Sequence, residues 1–66
     1  SLVFRNASSR DVFTALARFA DINVIFDPAF REMPVSLDLR NTTFEDALAS
    51  LTATTQTFYR VSAQFE

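Results

Sequence analysis

The sequence predicts a small α+β domain of order β-α-β-β-α-β, with two helices lying against small sheets. Three observations carry that expectation. First, Phe4-Arg5-Asn6, followed five residues on by Asp11, recurs as Leu39-Arg40-Asn41, followed five residues on by Asp46. Second, each copy opens on a strand-like run, Leu2-Val3-Phe4 or Val35-Ser36-Leu37-Asp38-Leu39. Each then passes through two small residues, Ala7-Ser8 or Thr42-Thr43, into apolar positions at helical spacing. Third, each copy ends near a second β-prone run, Asn23-Val24-Ile25-Phe26 or Phe58-Tyr59-Arg60-Val61. Two strand–helix–strand units in a chain of 66 residues leave room for one domain and little else.

The first strand is expected over Leu2 to Arg5, short and at a sheet edge. Ser8 stands three residues before Asp11, the spacing at which a hydroxyl accepts from an unpaired N–H of a helix's first turn. The helix it starts should run to about Ala20. Val12, Leu16 and Phe19 form its apolar stripe, widened by Ala15 and Ala20. Phe13 lies off that stripe, which predicts a helix covered on more than one side. The chain has no Gly. Asp21 and Gln56 are therefore the residues expected to take the left-handed conformation in which helices commonly end.

Asn23 to Phe26 is nearly all apolar and predicts a strand buried on both faces, stopped by Asp27-Pro28. Phe30 is expected to fold back onto the core from the loop that follows. Val35 to Arg40 alternates strictly, so Val35, Leu37 and Leu39 should face the helices while Ser36, Asp38 and Arg40 face water. The second helix should begin after Thr43, with Asp46 at the capping spacing. Thr42 with Glu45 offers a competing frame one residue earlier. Phe44, Ala47, Leu48 and Leu51 supply its stripe, and the threonine-rich stretch Thr52 to Thr57 is expected to fray. Ser62 to Phe65 has the pattern of a further strand cut short at Glu66, as in a piece of a longer protein.

Composition narrows the function. There is no Cys for a disulfide or a thiolate metal site, and no His to serve as general base or metal ligand. Eight Phe and one Tyr supply the buried area that so short a chain needs. The net charge is −2, and the six basic residues, all Arg, are interleaved with acids, so no basic patch points to nucleic acid. No apolar run is long enough to span a bilayer. Asp11 and Asp46 read as helix caps, Asp38 as a solvated strand residue and Asp27 as a turn former. Ser and Thr have neither His nor Lys to activate them, and a Gly-rich phosphate loop is excluded. The expectation is therefore no enzyme, no cofactor and no metal, which leaves interaction as the function. Asn6 and Asn41 read as strand terminators whose side chains bond into the turn, with Arg5 and Arg40 as flanks.

Taken together, Phe4-Arg5-Asn6, Arg10-Asp11-Val12, Ala15-Leu16, Ile22-Asn23-Val24-Ile25-Phe26-Asp27-Pro28, Val35 through Asn41, Phe44-Glu45-Asp46-Ala47-Leu48 and Leu51 resemble a known module. It is the short N-terminal domain shared by secretins and TonB-dependent transducers, and the ending Thr55 to Val61 looks like the secretin branch of type II secretion or type IV pilus systems. The resemblance covers Leu2 to Val61. It implies two helices packed between a two-stranded and a three-stranded sheet. It also implies a periplasmic module of an outer-membrane secretin, packed in a ring with copies of itself and docking inner-membrane secretion or pilus assembly proteins. On that basis the partner surface is expected to comprise the strand Leu2, Val3, Phe4 and Arg5 and the polar face of Ser36, Asp38 and Arg40. In isolation the domain is expected to be a monomer or weak dimer.

The alternative is a signalling domain of a TonB-dependent transducer, which contacts an anti-sigma regulator. A KH-like nucleic-acid module would also suit the element order. The missing Gly-x-x-Gly loop and the negative charge argue against it.

Overall fold

The computed structural model describes residues 3–60. Strand β1 spans Val3–Ser8, helix α1 Ser9–Phe19, strand β2 Pro34–Asp38 and helix α2 Phe44–Thr55. The strands pair antiparallel in a two-stranded sheet, with Phe4 opposite Leu37 and Ala7 opposite Val35. The core is built from both helices and from β2 with the residue after it: Val12 and Leu16, Val35 and Leu39, Ala47 and Leu51. Phe4, Ala7, Phe13, Leu37, Phe44 and Leu48 pack around it. The expected alternation along β2 holds, with Val35 and Leu39 buried while Ser36, Asp38 and Arg40 are exposed. The class is thus α+β, two helices on a small antiparallel sheet.

The repeat seen in the sequence is a repeat of backbone geometry. Ser8 and Thr43 are the N-caps; their hydroxyls accept from the N–H of Asp11 at 3.3 Å and of Asp46 at 3.1 Å. The Thr43 frame therefore prevails over Thr42. All positive-φ residues among those described fall into two equivalent pairs, Asn6 (52°) with Asn41 (58°) and Asp21 (60°) with Gln56 (55°). Both helix exits then close with the same two bonds. Asp21 N–H donates to Arg18 O and Ile22 N–H to Ala17 O, at 3.1 and 2.9 Å. Gln56 N–H donates to Ala53 O and Thr57 N–H to Thr52 O, at 3.3 and 3.0 Å. This pair of bonds satisfies carbonyls that a helix end otherwise leaves open, and it requires a left-handed residue between them. Asp21 and Gln56 fill that role as expected.

The second, three-stranded sheet does not form among the described residues. Asn23–Phe26, expected as a doubly buried strand, has no strand partner, and Ile25 is 90% exposed. Phe58 to Arg60 is likewise outside any strand, with Phe58 90% exposed. Val61 and the further strand expected at Ser62 to Phe65 lie outside the described residues. A short apolar run reads as buried only if a neighbouring surface covers it, and periodicity cannot supply that neighbour. The loop instead commits its aromatics to a satellite cluster on the flank of α1. The ring of Phe13 meets Phe26 and Phe30 edge-on at 6.2 and 6.0 Å, and the Arg10 guanidinium lies 4.4 Å from the Phe26 ring centre. Phe13 is covered on this second side as expected, while Phe30 folds back onto this flank cluster instead of onto the core where it was expected.

Three local expectations are also corrected. Strand β1 continues past Arg5 to Ser8 through a bulge between Phe4 and Ala7, in which Arg5 and Asn6 together oppose Ser36. Asn6 thus bends β1 instead of ending it. On α1, Phe19 is 69% exposed and Ala15 is exposed, while Ser9 and Ala17 are buried. The helix is buried on one side from Ser9 to Ala17, and its last residues, Arg18 and Phe19, project into solvent. On α2 the threonines do not fray the end. Thr52 and Thr55 donate back to Ala49 O and Leu51 O, at 3.1 and 2.7 Å, and Thr55 is buried.

Candidate interaction surface

The residues expected to meet a partner lie on the β1–β2 sheet, except Arg40, two residues past the end of β2, and Leu2, which is outside the described residues. Val3 and Phe4 are half-buried, and Phe4 leans on the core. The polar face is internally committed. Ser36 Oγ accepts the Asn6 N–H at 2.9 Å, which uses the hydroxyl to satisfy the bulge. Arg40 turns back on Asp38, with Nε 2.9 Å from Oδ1 and Nη2 2.6 Å from Oδ2, while the Arg40 N–H also donates to Oδ1 at 3.1 Å. The Arg40 side chain, and with it the backbone N–H, holds the Asp38 carboxyl below the ordinary range, and the nearby Arg5 charge adds to this. Asp38 in turn raises the Arg40 guanidinium. Both groups are exposed, so this fork contributes little to stability and mainly fixes where the charges sit.

A second knot joins the start of α1 to the end of its loop. Ser9 is fully buried; its N–H donates to Met33 O at 2.8 Å and its Oγ accepts the Met33 N–H at 3.1 Å. Glu32 Oε1 accepts the Arg10 N–H at 3.1 Å. The Ser8 hydroxyl, and after it the backbone N–H groups of Arg10 and Ser9, keep the Glu32 carboxyl below its ordinary value. A carboxylate at this end also suits the partial positive charge of a helix start. Sequence reasoning missed Glu32 altogether, because it reaches α1 from 22 positions away.

The remaining surface is notable for apolar groups in water. Phe19, Ile22, Ile25, Phe58 and Tyr59 are each more than half exposed. Three of them, Ile25, Phe58 and Tyr59, lie in the runs expected as strands after the helix exits. The sequence signal that could have exposed this is the polar bracket around the first run, Asp21 before it and Asp27-Pro28 after it, typical of a guarded edge. Among the described residues no cluster of three or more His, Cys, Asp or Glu could hold a metal, and no helix is long and apolar enough to cross a membrane. Asp11 and Asp46 stand in the first turns of α1 and α2, three residues after the capping Ser8 and Thr43.

A duplicated strand–helix domain, with its polar side chains tied into local bonds and its apolar ones partly on display, is built as a module. The family model described as FecR, C-terminal, matches residues 1–64, and the chain belongs to that family, a family of anti-sigma regulators. No curated protein and no solved structure matches the chain.

This overturns the secretin assignment. A ring of copies docked to secretion or pilus assembly proteins is replaced by signal transduction, with a sigma regulator or an outer-membrane receptor as the implied contacts. The signalling alternative is the better supported of the two readings. The repeated Arg-Asn, the Asp-Pro turn and the Ala-Leu helix do not single out a secretin, since a chain that carries them belongs to the FecR C-terminal family. An envelope location survives in broad form, since proteins of this family are typically periplasmic or attached to the inner membrane.

Proposed function

We propose that this chain is the periplasmic sensing end of an anti-sigma regulator and receives the state of an outer-membrane receptor by direct protein contact. The observation that carries the reading is the family match over residues 1–64. The chemistry supports it. With no His, Cys or Lys to serve as general base, nucleophile or activating group, binding is the function within reach and catalysis is not. No cofactor or metal is part of the reading.

The contact surface in this reading comprises Val3, Phe4 and Arg5 of β1, Ser36 and Asp38 of β2 and Arg40 just after it, together with Leu2 of the sequence. Such a contact can be weak and still transmit, because receptor and regulator are each held at a membrane and meet at high effective concentration. The test is calorimetric titration of this chain with the purified periplasmic N-terminal domain of a TonB-dependent receptor from the same organism. Micromolar or tighter binding is expected. Heat equal to dilution at every concentration would sink the reading. The pair Asp38→Arg with Arg40→Glu, which keeps the fork but exchanges its charges, should weaken that binding; unchanged affinity would remove the sheet's polar face from the surface.

A further inference from the structure

We propose that Asn23-Val24-Ile25 is a docking edge that pairs, strand to strand, with an extended segment of the partner protein. The inference deepens the receptor-contact reading above and rests on it. From Ile22 to Asp27 the chain runs without a turn or bend. Among the described residues, no N–H or C=O of Asn23, Val24 or Ile25 is bonded to another group of the chain. Their side chains compound the exposure: Ile25 is 90% and Val24 36% exposed, with Ile22 at 53% just before them.

Both ends of this stretch are anchored. At its start, Ile22 N–H donates to Ala17 O at 2.9 Å, the closing bond of the α1 exit. At its end, the Phe26 ring is gripped by Phe30 at 4.7 Å, Phe13 at 6.2 Å and the Arg10 guanidinium at 4.4 Å. Beyond it, Asp27 Oδ1 accepts the Ala29 N–H at 2.8 Å and holds the turn. The stretch is therefore held open at fixed length, so little ordering entropy opposes pairing. An open groove of ≈ 450 Å³ runs between it and α1, with Thr14, Ala17 and Arg18 on the helix side and Asp21 at its mouth.

The chemistry of the vacancy selects the occupant. What the edge lacks is alternating main-chain donors and acceptors, which an extended strand supplies and a helix, with its own groups paired internally, does not. The β-branched side chains Val24 and Ile25 suit a pleated surface. Asp21 and Asp27-Pro28 bracket the edge, and charge and Pro are the usual guards against unlimited pairing. The window is about three residues, or roughly 10 Å of strand, so the partner contributes a short segment. The strand expected here from sequence is, on this view, completed by the partner.

The experiment is residue-resolved amide exchange by NMR on this chain, alone and with the receptor's periplasmic N-terminal domain. Alone, the three amides should exchange at near-unprotected rates. In the complex, alternate amides of the stretch should slow at least tenfold. Val24→Pro and Ile25→Pro, made separately, each delete one N–H that has no bond among the described residues. At least one should weaken binding tenfold or more, with the melting temperature of the free chain retained. Binding with exchange at residues 23–25 unchanged overturns the docking edge and leaves the receptor reading intact. Protection that grows with chain concentration in the absence of the receptor domain assigns the edge to a second copy and also overturns it. No binding at all removes the receptor reading, and this inference with it.

Discussion

Replacing Asp21 and Gln56 by Gly should stabilise the domain, and the size of the gain follows from the backbone at the two helix exits. Both residues sit in the left-handed region, with φ of 60° and 55°. A Cβ there costs about 1–2 kcal/mol relative to a right-handed conformation. Both side chains are exposed and make no hydrogen bond or ion pair, so removing them forfeits no contact. The closing bonds, Asp21 N–H to Arg18 O and Gln56 N–H to Ala53 O with their partners one residue on, are all main-chain and survive substitution. Against the gain stands the greater freedom of Gly in the unfolded chain, about 0.4–1 kcal/mol. The net is about 0.5–1 kcal/mol per site. The sites close different helices and share no partner, so the double variant should gain about 1–2 kcal/mol. For a domain of this size that is a rise in Tm on the order of 10 °C. Urea unfolding followed by circular dichroism measures it, with Asp21→Ala and Gln56→Ala as controls that keep the Cβ and should gain nothing. A loss near 1 kcal/mol at either site, as for Gly inside a helix, would refute the assigned exits.

Three further outcomes are expected. Ser8→Ala and Thr43→Ala should each cost about 1 kcal/mol, because each hydroxyl accepts a first-turn N–H, of Asp11 or Asp46. Near-zero losses by urea unfolding would mean that water serves those amides equally well. Phe30→Ala should cost about 2 kcal/mol, below the range for a fully buried Phe since Phe30 is only half-buried, and should free the 20–33 loop. Limited proteolysis reads this as early cutting inside that loop, and cutting within α1 or α2 first would contradict it. Glu32→Gln should flatten the acid limb of the stability curve. The Glu32 carboxyl is depressed in the folded chain, so its contribution is present above the ordinary value of 4.5 and lost as pH falls through its lower folded value. Identical slopes for wild type and variant below pH 4.5 would show that Ser8 and the Arg10 N–H do not stabilise the charged form.

Much of the architecture was legible because the signals concerned are local. Cap spacing names Ser8 and Thr43 as helix starts, since the hydroxyl and the N–H it serves are three residues apart. Alternation along Val35 to Arg40 sorts core from solvent because successive strand side chains point oppositely. The absence of Gly directs attention to Asp21 and Gln56, and the same argument extends to Asn6 and Asn41, whose left-handed backbone went unread because Asn was taken as a strand terminator. The candidate surface was harder to read. Ser36, Asp38 and Arg40 were correctly exposed, yet their commitment to Asn6 and to each other depends on pairing and a turn that composition does not show.

The sequence by itself determined the duplicated strand–helix order, both helix starts and both left-handed exits, all of which rest on residues within a few positions of one another. Only the tertiary structure decided that Phe19 projects into solvent, that Glu32 and Met33 tie the loop to α1, and that Asn23 to Phe26 and Phe58 to Arg60 lie outside any sheet among the described residues. The physical reason is common to the three. Burial and strand pairing depend on what lies opposite, and an apolar β-branched run has the same composition whether its neighbour comes from its own chain or from another.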